Sequence, residues 1–577
     1  MKKILSQLFT ALNIEERKLI PKFNSDKFGL ILRSAINELD WYSYNIRRTK
    51  NPTQEQEEEF YLLTIGVTRL IQLSLDARAS FDAPVVMFRR DPSITIPVLR
   101  IISALGIIEH GRRIAQTAST GLCKIELIAE NEFQISLPPY IPDDDYFETA
   151  IQTHYKSEYA SIFSELLQSN EVKKIQNEVN QKLNELVYPF QTHYIGYGAD
   201  PILDEYFFSV SLNELMVCEG YDTFHFATLF GGVPYQKYIL ALTFFIAIFN
   251  RHEQFAEALV RKESHIKLEN ILTISSDTDS FIESIQDALN HFGSRVEGFE
   301  NASLNDAKLI FEVLSCSREN TSILSPPASA LPLIIQCSKQ GFIRCLSARH
   351  NNPIQFLLDS LRYHFPNDYN KNQQTREISM QKAIKRLLNE SFQGLEYKNN
   401  IKIKSGTKLL SDIDLVITDT STGIVLLCQL KHQELYGSDI HAKHIRTLRL
   451  KEQVSQWLTS LDQWLSNNDI SSVRASLQLP KSFPDIRIFR LIIGKHYCYP
   501  LNEITQNSDT LYANWYQFVN SIELANRENA TTKSLETLVE ILQKIKKLTP
   551  VMHLDEPDSE WKIGDLKFIV KQEKNVY

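Results

Sequence analysis

The stretch SDIDLVITDTSTGIVLLCQLKH, residues 411–432, decides how the C-terminal part of the chain folds. Two apolar runs flank the turn residues TSTG, which is the pattern of two strands joined in a hairpin. Each run also carries polar residues at fixed places, with Asp414 in the first run and Gln429 and Lys431 in the second. Burying such groups without partners costs free energy. Their presence inside two strands therefore indicates that they are partners of one another or of a ligand.

Strand geometry predicts which of these side chains meet. Side chains alternate between the two faces of a strand, so Asp412 and Asp414 share one face, as do Gln429 and Lys431. If the hairpin pairs the two runs, Asp414 approaches Gln429 and Lys431. The carboxylate of Asp414 and a carbonyl oxygen such as that of the Gln429 amide could then hold a hard divalent cation such as Mg²⁺, which prefers oxygen ligands. The Lys431 ammonium could assist an attacking water or stabilise charge on a phosphate.

The elements around the hairpin complete a compact module. The sequence predicts a helix over 376–391, a strand over 395–405, a long helix over about 438–466 and a strand over 485–500. Helix, three strands, helix and strand in this order are typical of an α/β module. Further helices are predicted around LYANWYQFVNSIELANR and KSLETLVEILQKIKKL, and the apolar strand DLKFIVKQE closes the chain.

Residues 375–500 resemble the PD-(D/E)xK nuclease superfamily, and their Gln form resembles its Mrr-like restriction endonucleases. The signature of the superfamily is an acid at the end of one strand and (D/E/Q)-x-K on the next. Asp414 matches the acid, and Gln429-Leu430-Lys431 matches the second half. The resemblance implies a restriction-endonuclease-like domain, a mixed sheet flanked by helices, that cleaves DNA with Mg²⁺. Because Gln429 replaces the commoner acid, it leaves one strong carboxylate in the motif.

The resemblance also implies two site residues on helices. Family members carry an acidic residue on the helix before the first strand, and Glu377 fits best, with Glu390 as the reserve. The helix after the Q-x-K strand often supplies a Gln or a basic residue. Gln453 matches that position, with Arg449 and Lys451 as neighbours.

Each of these residues also has an interpretation without catalysis. Asp414 could cap the following turn, and Gln429 and Lys431 could lie on a solvated face of an edge strand. Glu377 and Gln453 could face solvent on their helices. The second hypothesis is accordingly a catalytically inactive module of the same fold that binds nucleic acid or a protein. A nuclease directed at RNA is a third, although the chain carries no RNA-reading signature.

Composition and charge bound the class of protein. The chain has 577 residues, 43% hydrophobic and 23% charged, which is typical of a globular protein with more than one domain. The net charge is −8, yet residues 371–500 carry a net charge of about +7 by count, and a local basic surface attracts phosphate.

Seven dispersed cysteines without a CxxC pair predict free thiols in a reducing, cytoplasmic compartment. No GxxxxGK[ST] motif is present, so no P-loop motor is expected.

The rest of the chain predicts an α+β multidomain protein whose N-terminal region is mostly helical. We predict a helical region over 1–147 with a winged-helix-like β-hairpin over 122–139, a helical domain over 148–366, and the nuclease-like domain over 367–577 with a C-terminal helical extension. PNDYNKNQQT, 366–375, is predicted as a linker. YILALTFFIAIF, 238–249, is too short to span a bilayer and predicts a buried helix.

This organisation suggests a biological role. A helical sensor joined to a nuclease is the architecture of a bacterial restriction or anti-phage defence effector. The expected partner is nucleic acid, namely DNA. A second copy of the chain or a defence-system protein is a further candidate partner, and no membrane partner is expected.

Overall fold

The structure of the chain is a computed structural model. Over the described residues the protein is α+β, with a helical N-terminal region and mixed sheets. The described residues are 1–23, 28–77, 89–121, 123–137, 168–217, 224–325, 330–338, 340–434, 440–479, 483, 485–496, 498, 501, 508–528, 534–545 and 558–572.

Four long helices open the chain, because apolar residues recur there at three- and four-residue steps. They are α1 (Lys2–Phe23), α2 (Phe28–Arg48), α3 (Gln54–Ala77) and α4 (Pro92–Ser119). Helix α3 approaches α4 closely at Gly66, where a Cβ atom would lie 2.0 Å from the Ile102 carbonyl oxygen. Among the described residues, α4 is the one helix long and apolar enough to cross a membrane, and 44% of that apolar window is buried inside the protein.

The hairpin predicted after α4 is confirmed. It consists of β1 (Lys124–Ala129) and β2 (Glu132–Leu137), antiparallel, with Asn131 in the left-handed region at φ 58°. Asn tolerates this conformation better than most residues, which suits it to the turn.

The middle of the chain is helical with short strands between the helices. The helices are α5 (Asn170–Leu186), α6 (Pro201–Val217), α7 (Tyr235–Lys262), α8 (Thr278–Gly293), α9 (Leu304–Leu314) and α10 (Pro353–His364). The strands are β3 (Val187–Phe190), β4 (Tyr194–Tyr197), β5 (Leu229–Phe230), β6 (Val233–Pro234), β7 (Ser275–Asp277), β8 (Ser315–Cys316), β9 (Ile334–Gln336) and β10 (Gly341–Arg344). The apolar run 238–249 lies inside α7 and is mostly buried, so the predicted core helix is confirmed.

One hydrophobic core joins these helices to the opening four. It extends from Leu5 through the helices to Tyr369 without a break between the two predicted helical units. The predicted boundary between 147 and 148 itself lies outside the described residues.

The prediction that 366–375 forms a linker is wrong. The segment folds into α11 (Pro366–Asn372) and the start of α12 (Gln374–Ser391). Tyr369 is fully buried, and the Asp368 carboxylate accepts a hydrogen bond of 2.9 Å from the Gly231 amide in the turn between β5 and β6. The buried Tyr369 ring and hydrogen bonds of Asp368 and Asn372 thus attach this polar segment to the helical core.

The C-terminal sheet follows α12. It contains β11 (Leu395–Ser405), β12 (Lys408–Asp419), β13 (Ile424–His432), β14 (Arg487–Lys495) and β15 (Thr510–Asn514), in that spatial order. The first three strands are antiparallel, and β13, β14 and β15 are parallel. Its helices are α13 (Ile440–Asn467), α14 (Ile470–Ser476), α15 (Trp515–Glu528) and α16 (Leu535–Lys544). The residues LYAN, predicted as the start of a helix, instead form most of β15.

Helices cover both faces of this sheet. One core joins the sheet to α12, α15 and α16, and another joins it to α13 and α14. Residues 424–430 of β13 are consecutively buried, as expected for a strand covered on both faces. Polar residues near the end of β13 therefore belong to an interior site or to its rim.

The last hairpin of the described residues does not belong to the five-stranded sheet. The last hairpin, β16 (Ser559–Ile563) and β17 (Leu566–Gln572), forms one sheet with the N-terminal hairpin in the order β1-β2-β17-β16. Strand β17 pairs in parallel with β2. The predicted closing strand is confirmed as a strand, but it joins the sheet of the N-terminal hairpin and does not extend the five-stranded C-terminal sheet.

Candidate active site

The strands β12 and β13 separate at Asp414. Their ladder ends at Leu415, which pairs with Cys428. One residue further, Asp414 Oδ2 accepts a hydrogen bond of 2.7 Å from the Leu430 amide and one of 2.5 Å from Gln429 Nε2. A buried carboxylate thus replaces the backbone pairing at the point of separation, and the structure brings Asp414 together with the Gln429-Leu430 pair.

Helix α12 holds the other side of this contact. Gln381 Nε2 donates a hydrogen bond of 2.9 Å to the Asp414 carbonyl oxygen. Only 5% of Asp414 and 5% of Gln429 is exposed. The backbone of Asp414 is therefore bonded to the same helix that carries Glu377 in its first turn.

The Asp414 carboxyl titrates near neutral pH. Burial raises its pKa to about 7; the Leu430 amide and Lys431 oppose the rise, and Glu377 and Asp412 add to it. Both protonation states of Asp414 are thus populated near pH 7. A divalent cation bound there would favour the ionised state, because metal ligands must lose their protons.

A cavity of about 210 Å³ brings together three predicted site residues from three elements. They are Glu377 from α12, Lys431 from β13 and Gln453 from α13. Burial raises the pKa of Glu377; Lys431 lowers it and Asp412 raises it further. Asp414 does not line this cavity, but it lies beside the wall, because its carboxylate accepts a hydrogen bond from the amide of Leu430, the neighbour of Lys431.

The other residues considered on these helices lie elsewhere. Glu390 is exposed near the far end of α12, about 20 Å along the axis from Glu377 at 1.5 Å per residue. Arg449 and Lys451 do not line the cavity, but Arg446 does. Arg446 and Gln453 are seven residues apart, two helical turns, and so share a face of α13. That spacing was the signal that could have identified Arg446.

Further residues of the cavity wall had no sequence signal of their own. Arg376 precedes Glu377, and His432, Gln433 and Glu434 follow Lys431; Gln373 completes the wall. They flank the predicted residues without belonging to any motif. Two of them, Arg376 and Glu434, contact Tyr369 of α11, and no local pattern predicts that contact.

The oxygen donors near Asp414 are of the kind that a hard cation prefers. Among the described residues, no group of three His, Cys, Asp or Glu side chains is placed to hold a metal ion. For a cation bound here, Asp414 and Glu377 could supply carboxylates, and the Gln429 amide and the Leu430 carbonyl could supply neutral oxygens. Mg²⁺ commonly uses one or two carboxylates and keeps several waters, so this set suits Mg²⁺ better than a metal that needs a full protein cage.

Comparison with known proteins identified no relative: no protein-family model, no curated protein and no solved structure matches this chain. Function has therefore to be inferred from the chemistry of the site.

Proposed function

We propose that this protein is a Mg²⁺-dependent endonuclease that hydrolyses phosphodiester bonds of DNA. The observation that carries the proposal is the buried contact of Asp414 with Gln429 and Leu430, beside a cavity lined by Glu377 and Lys431. The elements α12, β11–β15 and α13 then constitute a restriction-endonuclease-like domain. Their order and the position of the Q-x-K strand are those that the PD-(D/E)xK resemblance implies.

Each residue has a distinct role in this proposal. Asp414, Gln429 and the Leu430 carbonyl hold Mg²⁺ or Mn²⁺, with Glu377 completing the set. When bound, the metal supplies Lewis-acid polarisation of the phosphate and a more acidic bound water. Lys431 stabilises the negative charge that develops on the phosphorane oxygens.

The positively charged side chains of the cavity wall favour an anionic substrate. Gln453 and Arg446 on α13 face the same cavity as Lys431, so they can contact the phosphates that flank the scissile bond. A guanidinium suits this role because its planar donors match phosphate oxygens. A basic segment within an acidic protein favours nucleic acid at this domain over the rest of the surface.

The helical region supplies recognition in this proposal, as expected for a cytoplasmic restriction or anti-phage defence effector. It contacts the proposed nuclease domain through α10 and α11, because Arg362 and the Tyr369 hydroxyl donate hydrogen bonds to the Glu434 carboxylate. The six cysteines within the described residues are free and buried, which supports a reducing compartment; Cys218 lies outside the described residues.

One observation favours the alternative of an inactive binding module. Asp414 and Gln429 satisfy each other by a hydrogen bond, and a metal would have to replace that contact. If the contact is never replaced, the domain binds DNA or a protein without cutting.

Cleavage assays on the whole protein separate the two functions. Wild type, Lys431→Ala and the control Lys562→Ala, an exposed lysine on β16, would be incubated with plasmid and single-stranded DNA in Mg²⁺, Mn²⁺ or EDTA. We expect metal-dependent cutting that falls by about 100-fold or more in Lys431→Ala and is unchanged in Lys562→Ala. Equal cutting by Lys431→Ala would contradict the proposal. DNA binding without cutting in any metal would establish the binding module.

A further inference from the structure

A buried acid lies where the chain leaves the Q-x-K strand. Glu434 follows Lys431 by three residues and is 6% exposed. Its Oε1 accepts hydrogen bonds from Arg362 of α10 and from the Tyr369 hydroxyl of α11, and lies 3.7 Å from Arg376 Nη2 of α12. Two helices of the N-terminal region and the first turn of α12 therefore meet on one carboxylate.

Arg376 connects the first turn of α12, which carries Glu377, to the residues around Glu434. It is 3% exposed and directly precedes Glu377. Its Nη2 donates a hydrogen bond of 3.1 Å to the Tyr369 hydroxyl, and its guanidinium lies 4.6 Å from the ring centroid of Phe224 in the helical region. The start of α12 is thus held against residues that belong to the helical core.

The charges of this cluster depend on one another. Burial alone would raise the pKa of Glu434, but Arg362 and Arg376 lower it below its ordinary value, so the group is a carboxylate at neutral pH. Removing one partner of such a buried set leaves the others uncompensated. A displacement of α10 or α11 therefore has to displace Glu434 and Arg376 as well.

We infer that Arg362, Tyr369, Arg376 and Glu434, here called the Glu434 cluster, form a positioning device through which the helical region sets the geometry of the nuclease site. Resting on the proposed function, the inference adds how the site is regulated. Glu434 fixes the strand end that carries Lys431, and Arg376 fixes the helical turn that carries Glu377. Contacts one step removed from metal ligands orient them, so an event that shifts α10 and α11 would change metal binding.

The test compares three substitutions in the full-length protein. Glu434→Gln removes the charge at the centre of the cluster. Arg362→Gln removes the contribution of α10 from a side chain that is 43% exposed and is therefore the variant less prone to misfolding. Asp359→Asn is the matched control, because it changes another partner of the same arginine, whose Nη1 donates a 3.2 Å hydrogen bond to Asp359, and leaves the Arg362 and Glu434 side chains in place.

Two readouts are measured on each protein. Mn²⁺ affinity is followed by electron paramagnetic resonance, and amide hydrogen exchange is followed in residues 374–382 and 429–434. We expect Glu434→Gln and Arg362→Gln to weaken Mn²⁺ binding by about 10-fold or more and to speed exchange in both segments. Asp359→Asn should stay within about twofold of wild type in both readouts.

The outcomes separate this inference from the proposed function. Wild type that neither binds Mn²⁺ nor cuts DNA would refute the proposed function, while the exchange data would still decide the positioning. Unchanged exchange in both segments of Arg362→Gln and Glu434→Gln would overturn the inference even if the enzyme is active. Faster exchange confined to α10 would overturn it too, because the cluster would then transmit nothing to the site.

Discussion

Two aspartates on β12 show how single residues differ within one strand. Asp414 and Asp419 are both buried, and burial raises the pKa of each. In Asp419 the raising effect is outweighed by hydrogen bonds from Ser421 and from the Leu535 amide, so its pKa falls below the ordinary value. In Asp414 the bonds are too few, and the pKa rises to about 7. Asp419 is therefore stabilised as an anion. Ionisation of Asp414 is unfavourable, and a bound cation would make it more favourable.

This difference predicts that replacing aspartate by asparagine has opposite effects on protein stability at positions 414 and 419. Because the pKa of Asp414 is about 7 in the folded state and about 3.9 in the unfolded state, folded protein binds more protons between these values. Its free energy of unfolding therefore falls as pH rises from about 4 to about 7. Asp414→Asn removes that loss, so we expect the variant to be more stable than wild type at pH 8, on the order of 2–4 kcal/mol, and similar at pH 4.5.

Urea unfolding at the two pH values checks this expectation, with a DNA cleavage assay beside it. Asp414→Asn should also abolish cleavage, because it removes the carboxylate proposed to hold the metal. The matched control is Asp419→Asn, which should destabilise the protein at pH 8 by about 1–3 kcal/mol. Loss of stability in Asp414→Asn at pH 8 would show that the carboxylate is ionised without strain.

The sequence predicted the contact between Asp414 and Gln429 but not the surroundings of that contact. The alternation of β12 and β13 predicted that Asp414 approaches Gln429, and the structure places them 2.5 Å apart. It could not predict that the ladder stops one residue earlier. It also could not predict that Ile413 packs with the α13 side of the sheet, since a departure from alternation depends on the neighbouring strand.

Helix α13 illustrates how an element presents residues to the site. Its apolar residues Leu450, Val454, Trp457 and Leu461 pack on the sheet. Arg446 and Gln453 lie at the edge of that face and line the cavity. The helix therefore carries an apolar face that packs on the sheet and, beside it, a pair of polar residues that face the cavity.

This arrangement predicts unequal roles for two arginines of one helix. Arg446→Ala should weaken DNA binding by about 3- to 10-fold and reduce its dependence on salt concentration, because one phosphate contact is lost. Arg449→Ala, an exposed arginine on the same helix that does not line the cavity, should change binding much less. Fluorescence anisotropy at several salt concentrations measures both. Equal losses in the two variants would indicate a general basic surface without a specific contact.

Elements with a clear period were predictable, and short ones were not. The helices α12, α13 and α16 and the strands β11–β14 follow their apolar patterns. Strand β15 is buried along its whole length, so it shows no alternation and reads as part of the next helix. Segment 366–375 is polar in composition, and its helix α11 depends on the burial of Tyr369, which composition does not reveal.

At the scale of the whole molecule, the last hairpin pairs with a hairpin of the N-terminal region. Strand β17 adds to the sheet of β1 and β2, and its Leu566, Phe568 and Val570 belong to the core of the helical region. No local pattern could predict this pairing, because a strand's partner far away in sequence is chosen by tertiary packing. Residues 559–572 therefore join the helical region, and the proposed nuclease domain lies between two parts of that region in sequence.

This pairing predicts where a C-terminal substitution acts. Phe568 is fully buried, and its ring packs at a centroid distance of 6.4 Å from that of His110 on α4. Phe568→Ala should lower the free energy of unfolding of the helical region by about 3–5 kcal/mol, whereas Lys562→Ala on the exposed edge of β16 should leave it within about 0.5 kcal/mol. Hydrogen exchange in rising urea locates the effect: residues 124–137 should lose protection first, while residues 413–431 keep theirs. Loss of protection at 413–431 ahead of 124–137 would instead place the C-terminal strand with the five-stranded sheet and contradict the pairing.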